Sequence, residues 1–443
     1  MSVSEVRVRR SEIGDRKVAT TKPSVGGSDV TVESLARGPQ SSVLSPPSLH
    51  IALLTGGDDK SYALGLASAL VGRRISIDFI GSDKVDAPEL HTTPFINFLN
   101  LRGDQRENVS FRRKAMRILA YYGRLVRYAA TARPPIFHIL WNNKFEFIDR
   151  VLLMLYYHVL GKKMVFTAHN VNAAKRDSKD SFLNRLSLRI QYGLSNHIFV
   201  HTEGMKSQLT SGFGVPERKI SVIPFGINNT SPVTEITRSQ SKQKMGVSPE
   251  HKTTLFFGQI APYKGLEYLM DAFKELAKTD ESYRLIIAGK VKRGHQAYWD
   301  GIQRKIAGSR FQDQIIERIE HIPDEEVELY FKAADVLVAP YINIFQSGLP
   351  FLAYSFGLPV IATDVGSLRR DIVEGRTGFV CQSKDLFDLA ETIDKYFQSE
   401  LFRNLENRRL QIKEYANERY SWDKVAKMTT AVYYGLVPSL TEK

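Results

Sequence analysis

Short runs of β-branched and apolar residues alternate with longer helical patterns from His50 onward, and this alternation constrains the fold most strongly. Turn residues bound each run, as is typical of strands that are buried on both faces of a parallel sheet. The first series is IALLT, ISIDFIG, IFHILWN, KMVFTAHN, HIFVHT and ISVIPFG, and the second is TTLFFGQ, YRLIIAG, IERIEHI, VLVAPY and PVIAT. The sequence therefore predicts an α/β fold of two domains, each built on a parallel sheet.

A polar stretch, NTSPVTEITRSQSKQK, separates the two series, and the first 46 residues show neither helical nor strand periodicity. Ligands of open parallel sheets bind at the carboxyl ends of the strands, so we expect them in a cleft between the domains. The predicted organisation is a disordered tail over 1–46, a first domain over 47–228, a linker over 229–252, a second domain over 253–405, and helices that brace both domains over 406–436.

Composition excludes several classes of protein. The single cysteine, Cys381, rules out a disulfide framework and a cysteine-rich zinc site, and it fits a reducing compartment. No segment reaches the roughly 18 apolar residues of a membrane-spanning helix. The start, MSVSEVRVRRSEIGD, lacks the apolar core of a signal peptide. We expect a cytoplasmic protein.

All of the net positive charge lies in the first half of the chain. Residues 1–225 carry 32 Lys and Arg against 19 Asp and Glu, whereas residues 226–443 carry 29 of each. The densest run, FRRKAMRILAYYGRLVRYAA, places four arginines on one predicted helix face, opposite Ile118, Tyr122, Val126 and Ala129. These membrane-facing candidates are Arg113, Arg117, Arg124 and Arg127.

Three interpretations of this basic helix stay open. It is a solvated face of a core-packed helix, it makes a reversible, peripheral contact with the anionic inner face of a membrane, or it faces an anionic soluble ligand. Nucleic acid is not an expected partner, because the chain has no zinc-finger spacing and no RNA-recognition motif.

Two strand ends of the first domain carry candidate ligand contacts. Gly56 and Gly57 follow IALLT, where they form either a simple tight turn or a close backbone approach to an anion. His169 and Asn170 end KMVFTAHN, where both side chains can hydrogen-bond a polyhydroxyl ligand. His201 and Thr202 end HIFVHT, and there we expect a helix cap.

The second domain carries candidate phosphate contacts. FFGQIAPYKGLEYL ends a strand at Gly258 and Gln259 and brings Lys264 to the start of a helix, which suits a phosphate. The stretch PYINIFQSGLPFLAY has no charged residue, but Ser347, Gly348 and Leu349 would offer backbone N–H groups there. Lys264 is expected across the loop from these amides, and the lysine and the amides together could clamp a diphosphate.

Five motifs in order give a specific resemblance: TAHN, VIPFGIN, FFGQIAPYKGLEYL, IPDEEVELYFKAADVLVAPY and SFGLPVIATDVGSLRRDIVEGRTGFV. From His50 to about Gly435 the chain resembles the retaining nucleotide-sugar glycosyltransferases of family 4, which have the GT-B fold. The resemblance implies two Rossmann-like domains facing a cleft. It also implies a nucleotide-sugar donor on the second domain, a glycan or lipid-linked acceptor on the first, and neither metal nor cofactor.

Carried over by residue, Lys264 resembles the lysine that holds the donor diphosphate, and His169 the histidine near the transferred sugar. Gly56 and Gly57 match the turn that faces the phosphates and the acceptor. Gln259 stands where many members have an arginine.

The chain departs from the family at its usual pair of glutamates, which align with Ile344 and Leu352. Three interpretations stay open. Gln346 and Ser347 replace the polar contacts in a variant branch of the family. Alternatively, the chain binds a nucleotide sugar or glycan without catalysis, as the partner of an active enzyme. The third possibility is a different donor or a related reaction on the same fold.

Overall fold

The computed structural model of the protein describes residues 49–56, 59–105, 110–143, 145–176, 180–227, 231 and 233–438. The tail expected over 1–46 lies outside these residues. The described residues form one compact unit. None of the described helices combines the length and the apolar character needed to cross a bilayer.

Two sheets, both wholly parallel, form the framework. The first has seven strands in the order β3-β2-β1-β4-β5-β6-β7, and the second has six in the order β10-β9-β8-β11-β12-β13. The strands of the first are β1 Leu49–Leu54, β2 Ile75–Ile80, β3 Ile96–Leu99, β4 Ile136–Ile139, β5 Lys163–Thr167, β6 His197–Val200 and β7 Ile220–Val222. Those of the second are β8 Lys252–Phe257, β9 Tyr283–Ala288, β10 Ile315–Arg318, β11 Val336–Ala339, β12 Val360–Thr363 and β13 Gly378–Cys381.

Both sheets have the strand order of a doubly wound fold. The central strands β4, β6, β11 and β12 are buried at every position, which explains why they read as continuous apolar runs. The α/β prediction with two parallel-sheet domains is therefore confirmed. The predicted runs did not include β3 or β13, which are edge strands.

Helices cover both faces of the sheets and connect successive strands. Those before β8 are α1 Lys60–Gly72, α2 Pro88–Thr92, α3 Phe111–Thr131, α4 Met154–Val159, α5 Ala173–Arg176, α6 Phe182–Leu194, α7 Glu203–Phe213 and α8 Arg238–Lys244, with a π-helical turn at Ile148–Leu153. The remainder are α9 Leu266–Thr279, α10 Gln296–Ala307, α11 Asp324–Ala333, α12 Leu349–Ser355, α13 Leu368–Asp371, α14 Leu386–Gln398, α15 Glu400–Arg403, α16 Leu405–Arg419 and α17 Trp422–Leu436. Short 3₁₀ turns lie at Glu217–Lys219, Pro262–Lys264 and Gln312–Gln314.

The end of the chain packs against both domains. Helix α16 packs on α12 of the second domain, whereas α17 packs on α1 of the first. Val425, Ala426 and Tyr433 of α17 belong to the core under the first sheet. In that core the Tyr433 hydroxyl hydrogen-bonds His138 Nδ1 of β4 at 2.5 Å.

The chain passes between the two domains near Ile227 and returns near Trp422. These two interdomain crossings are hydrogen-bonded to each other. The amide of Ile227 donates to the carbonyl of Tyr420 at 3.0 Å, and Trp422 Nε1 donates to the carbonyl of Ile227 at 2.8 Å. The indole leaves no room for a side chain at Gly65 or Gly226, where an added Cβ would meet it at 2.2 and 2.5 Å.

The residues expected as a linker contain α8, which packs on α11. A capping box formed by Thr237 and Gln240 starts this helix. Lys242 of α8 is fully buried and pairs with Asp335 at 2.8 Å, and Arg238 pairs with the same carboxylate at 2.7 Å. This ion network ties the segment to the second domain.

We expect Asp335→Ala to lower the free energy of unfolding by about 3–5 kcal/mol, because it leaves the buried Lys242 ammonium without its carboxylate. Urea denaturation would measure the loss. The matched control is Asp364→Ala, which removes an exposed pair with Arg369 at 3.6 Å and should cost about 1 kcal/mol or less. Equal losses in the two variants would contradict the role of the buried network.

Candidate active site

A cavity of about 320 Å³ lies between the two sheets, where the strand order of each reverses. The reversal falls between β1 and β4 in the first sheet and between β8 and β11 in the second. Loops after strands at such a point form the ligand sites of doubly wound folds. The cavity is lined by Asp59, Ser61, Tyr62, Phe225, Gly226, Phe257, Gly258, Lys264, Ser347, Gly348, Leu349, Leu352 and Trp422.

Lys264 is held in the cavity wall by the second sheet. Its ammonium donates to the hydroxyl of Tyr341 at 3.1 Å and lies 5.0 Å from the centre of that ring. Tyr341 is 1% exposed and follows β11, so it gives the lysine a rigid support. Gly265 then turns the chain with φ +66°, and a Cβ there would lie 2.0 Å from the carbonyl of Pro340. The position of the Lys264 side chain therefore depends on a glycine at position 265.

Ser347, Gly348 and Leu349 line the same cavity as Lys264, as the predicted diphosphate clamp requires. Helix α12 begins at Leu349, and its amide already donates to Ser347 Oγ at 3.2 Å. Ser347 is only 9% exposed. We therefore expect the amides of Ser347 and Gly348 to be the available donors.

Gln346 is tied to a buried carboxylate. Its side-chain amide donates to Asp371 Oδ2 at 3.4 Å, and Ser367 Oγ donates to the same oxygen at 2.7 Å. Burial raises the pKa of Asp371 to about 6, although these two bonds and the charges of Arg370 and Arg419 oppose the shift. Gln346 does not line the described cavity.

The positions that align with the family's glutamates have different surroundings. Ile344 is 8% exposed and belongs to the core of the second domain. Leu352 is partly buried and forms part of the cavity wall. The cavity wall is therefore apolar at Leu352, where the family has a carboxylate. Ile344 does not line the cavity.

His169 is held in one orientation by an aromatic cluster. Its ring stacks on Trp141 with centroids 4.3 Å apart and meets the edge of Tyr62 at 4.6 Å. Burial and the nearby His201 lower its pKa well below the ordinary value, so the imidazole is neutral. It does not line the cavity itself, but Tyr62 and Phe225, which do, pack against it.

The hydrogen bonds around His169 assign its tautomer. His201 Nδ1 lies 3.3 Å from the carbonyl of Ile223, which can only accept, so the proton of His201 is on Nδ1. Its Nε2 must then accept from His169 Nδ1, 3.1 Å away. His169 Nε2 is left as a buried acceptor without a partner among the described residues. Such an atom suits a hydroxyl donor such as that of a sugar.

The other predicted first-domain contacts lie close by. Gly56 turns the chain after β1 with φ +61°, and a Cβ there would lie 2.7 Å from the carbonyl of Trp141. Its own carbonyl accepts from Arg102. Gly57 lies outside the described residues. Asn170 is partly buried beside His169, and Thr202 caps α7 by accepting from Met205 N at 3.1 Å, as expected.

Two further predicted positions, Gln259 and Arg117, do not line the cavity. Gln259 is exposed and does not line the described cavity, although its neighbour Gly258 does. Arg117 is partly buried on α3, where it pairs with Asp104 at 3.2 Å and donates to that residue's carbonyl at 2.9 Å. That Arg117 faces a membrane stays a prediction. Arg113, Arg124 and Arg127 are exposed.

Sequence reasoning missed three aromatic residues of the site. Tyr341 supports Lys264, Phe225 stacks on Phe351 with centroids 5.4 Å apart, and Trp422 closes the cavity near the interdomain crossings. Phe225 lies within the motif VIPFGIN, and that motif could have indicated Phe225 as a site residue. Nothing local distinguishes Trp422, because its partners at Gly65 and Gly226 are far away in sequence.

Comparison with known families agrees with this architecture. Residues 60–230 match the model of Glycosyltransferase Family 4, and residues 237–419 match the model of Glycosyl transferases group 1. The two matches cover one domain each and include every cavity-lining residue except Asp59 and Trp422. This chain belongs to the family 4 glycosyltransferases of the GT-B fold.

Curated members of the family are distant relatives. D-inositol 3-phosphate glycosyltransferase of Pseudarthrobacter chlorophenolicus is 26% identical over 242 residues, which cover 54% of this chain and 56% of the relative. The lipopolysaccharide core biosynthesis mannosyltransferase LpsB of Rhizobium meliloti is 28% identical over 38% of this chain and 47% of its own length. The matches thus span about half the length of these relatives.

Solved structures show the same fold. HepE of Anabaena, in complex with UDP and glucose, superposes with a TM-score of 0.67 at 15% identity and covers 87% of this chain and 98% of its own. Sucrose-phosphate synthase of Thermosynechococcus elongatus gives a TM-score of 0.67 at 16% identity, with coverage of 88% and 100%. The GT-B prediction is therefore confirmed.

We expect Asp371→Asn to change how stability depends on pH. The pKa of Asp371 is about 6 in the folded chain, against an ordinary value of 3.8. Between these values only the folded state holds the proton, so this group lowers the free energy of unfolding as pH rises from about 4 to 6. The Asn variant should lack that decline, measured as its difference from the parent in urea denaturation across the window. A constant difference would contradict the assignment.

Proposed function

We propose that this protein transfers a sugar from a nucleotide-sugar donor to a glycan or lipid-linked acceptor, with retention at the anomeric carbon and without a metal ion. The position of Lys264 carries the proposal. Its ammonium and the loop Ser347–Leu349 line one cavity at the switch points of two facing sheets. A cation and helix-start amides that meet there suit a diphosphate.

The relatives and neighbours support this class of reaction. The curated relatives are named as glycosyltransferases, and HepE was solved with UDP and with UDP-glucose. We infer that the second domain holds the donor and the first domain the acceptor. The buried single cysteine supports a reducing, cytoplasmic setting.

In the proposed reaction, the bond between the anomeric carbon and the diphosphate oxygen lengthens, and its electron pair stays on that oxygen. Lys264 and the amides of Ser347 and Gly348 stabilise this growing charge more strongly than they stabilise the ground state. The acceptor oxygen attacks from the face that the diphosphate leaves, and its proton passes to the leaving phosphate. His169 lies behind Tyr62 and Phe225 of the cavity wall and holds these two rings in position beside the sugar.

A second candidate function has an observation in its favour. Ile344 is buried in the core and Leu352 is an apolar part of the cavity wall, so neither supplies the carboxylate contacts that the family uses. A chain without them could bind a nucleotide sugar and assist an active partner instead. Calorimetric titration with UDP-, GDP- and ADP-sugars, followed by measurement of nucleotide release, separates the two. Binding with release supports transfer, and binding without release, even with candidate lipid acceptors supplied, supports the second function.

We expect Lys264→Ala to lower kcat about 100-fold or more, since the lysine acts on charge that develops in the transition state. Thermal melting should remain cooperative. Lys278→Ala is the control, because this lysine is exposed on α9 and pairs only with Glu275 at 2.6 Å among the described residues. Unchanged turnover in Lys264→Ala would remove the site assignment.

We expect Gly265→Ala to weaken binding of the nucleoside diphosphate that the titration identifies by at least about tenfold, because the added methyl must displace Pro340 or the loop of Lys264. Gly246→Ala is a matched control. Gly246 also has positive φ, +73°, but an added Cβ would meet nothing within 4 Å. Affinity that falls equally in both variants would show general strain rather than a displaced lysine.

A further inference from the structure

Large apolar side chains are exposed mainly on one part of the first domain. Of the fifteen such residues in the described part of the chain, eleven lie on α3, on α6, or on the π-helical turn and α4 with the residues just before them. We call their outer surface the three-helix face. Its apolar residues are Met116, Leu119, Val126, Phe145, Phe147, Leu152, Leu155, Val159, Phe182, Leu183 and Leu186.

The three helices lie side by side, so these residues share one surface. The hydroxyl of Tyr156 on α4 donates to the carbonyl of Val126 on α3 at 3.3 Å. Arg150 of the π-helical turn donates to Asn184 of α6 at 2.8 Å. The inward side of α3 is formed by Tyr121, Leu125 and Ala129, which are buried. The sequence-based expectation that Val126 also faces inward is therefore wrong, because Val126 is 39% exposed.

Exposure on this face is too large for a solvated surface. Val159 is 81% exposed, Phe182 71% and Leu119 67%. A monomeric soluble protein rarely leaves a continuous apolar surface of this kind uncovered. The first interpretation of the basic helix, a solvated face, does not account for this apolar exposure.

The charges on the same helices are almost all positive. Among the described residues of these segments, Glu146 is the one exposed acid, and it pairs with Arg150 at 2.9 Å. The exposed arginines are Arg112, Arg113, Arg124, Arg127, Arg185 and Arg189. An apolar surface with arginines around it matches the interfacial zone of an anionic bilayer. A second copy of the chain would instead bring like charges together.

We propose that the three-helix face docks on an anionic lipid bilayer, with its apolar side chains below the headgroups and its arginines at the lipid phosphates. This goes beyond a contact made by arginines alone. Apolar insertion and electrostatic attraction add, and together they give stable yet reversible attachment.

The orientation of the helices links docking to the cleft. Each of the three follows a strand of the first sheet, so each begins near the carboxyl edge where Gly56 turns and His169 lies. The apolar residues nearest those helix starts are Met116, Phe147, Phe182 and Leu183. An acceptor with an apolar anchor could therefore stay in the bilayer while its polar end reaches the cleft. This last step rests on the proposed function, whereas docking itself does not.

Vesicle flotation tests the docking without any activity measurement. The full chain should float with vesicles of phosphatidylcholine and phosphatidylglycerol and less with phosphatidylcholine alone. Salt at about 1 M should weaken the flotation, because it shortens the Debye length to about 3 Å. The triple variant Leu119→Ser, Phe182→Ser, Leu183→Ser should lose about tenfold or more in partitioning while it retains its melting behaviour.

Phe387→Ser is the matched control, because Phe387 is also 71% exposed but lies on α14 of the second domain. It should float like the parent, and Phe182→Ser alone should float less. Failure of the parent to float with anionic vesicles would overturn the proposal. So would equal flotation of the parent and the triple variant. If sedimentation showed that the parent self-associates without lipid and the triple variant does not, the face would be an interface between copies.

Discussion

The bonds between the two crossings hold the domains at one cleft. Ile227, on the way out of the first domain, and Trp422, on the way back, are joined through the carbonyl of Ile227, and Tyr420 accepts from the Ile227 amide. Because the indole fills the space left by two glycines, the crossings cannot separate without exposing it. Gly226 and Trp422, which belong to this junction, also line the cavity.

Within the cleft, rigid apolar support positions a small number of polar atoms. Lys264 depends on buried Tyr341, and His169 depends on Trp141 and on the proton of His201. These supports come from different strands of both sheets. The same apolar character places Leu352 where the family has a carboxylate. Under the proposed function, recognition of the donor rests on backbone amides, on Lys264 and on the shape of the cavity more than on the family's glutamates.

The alternation of strands and helices could be predicted from the sequence because parallel strands buried on both faces have a strong apolar signal, as β4 and β11 show. Lys264 and the loop at Ser347 could also be predicted, since their roles follow from strand ends and glycine turns. Their roles in binding remain predictions. The partners of Arg117 and the exposure of Val126 could not be predicted, because both depend on how α3 is rotated against its neighbours. Likewise, nothing near Asp371 in sequence indicates that Gln346 donates to it.

The return of the chain to the first domain has a consequence for biosynthesis. Tyr433 bonds His138 in the centre of the first sheet, and Val425 and Ala426 fill the same core. These residues are translated after the whole second domain. Domains usually fold in the order in which they leave the ribosome. Here the first domain to be synthesised is the last to be completed, and a nascent chain interrupted before residue 422 presents an open core to chaperones and proteases.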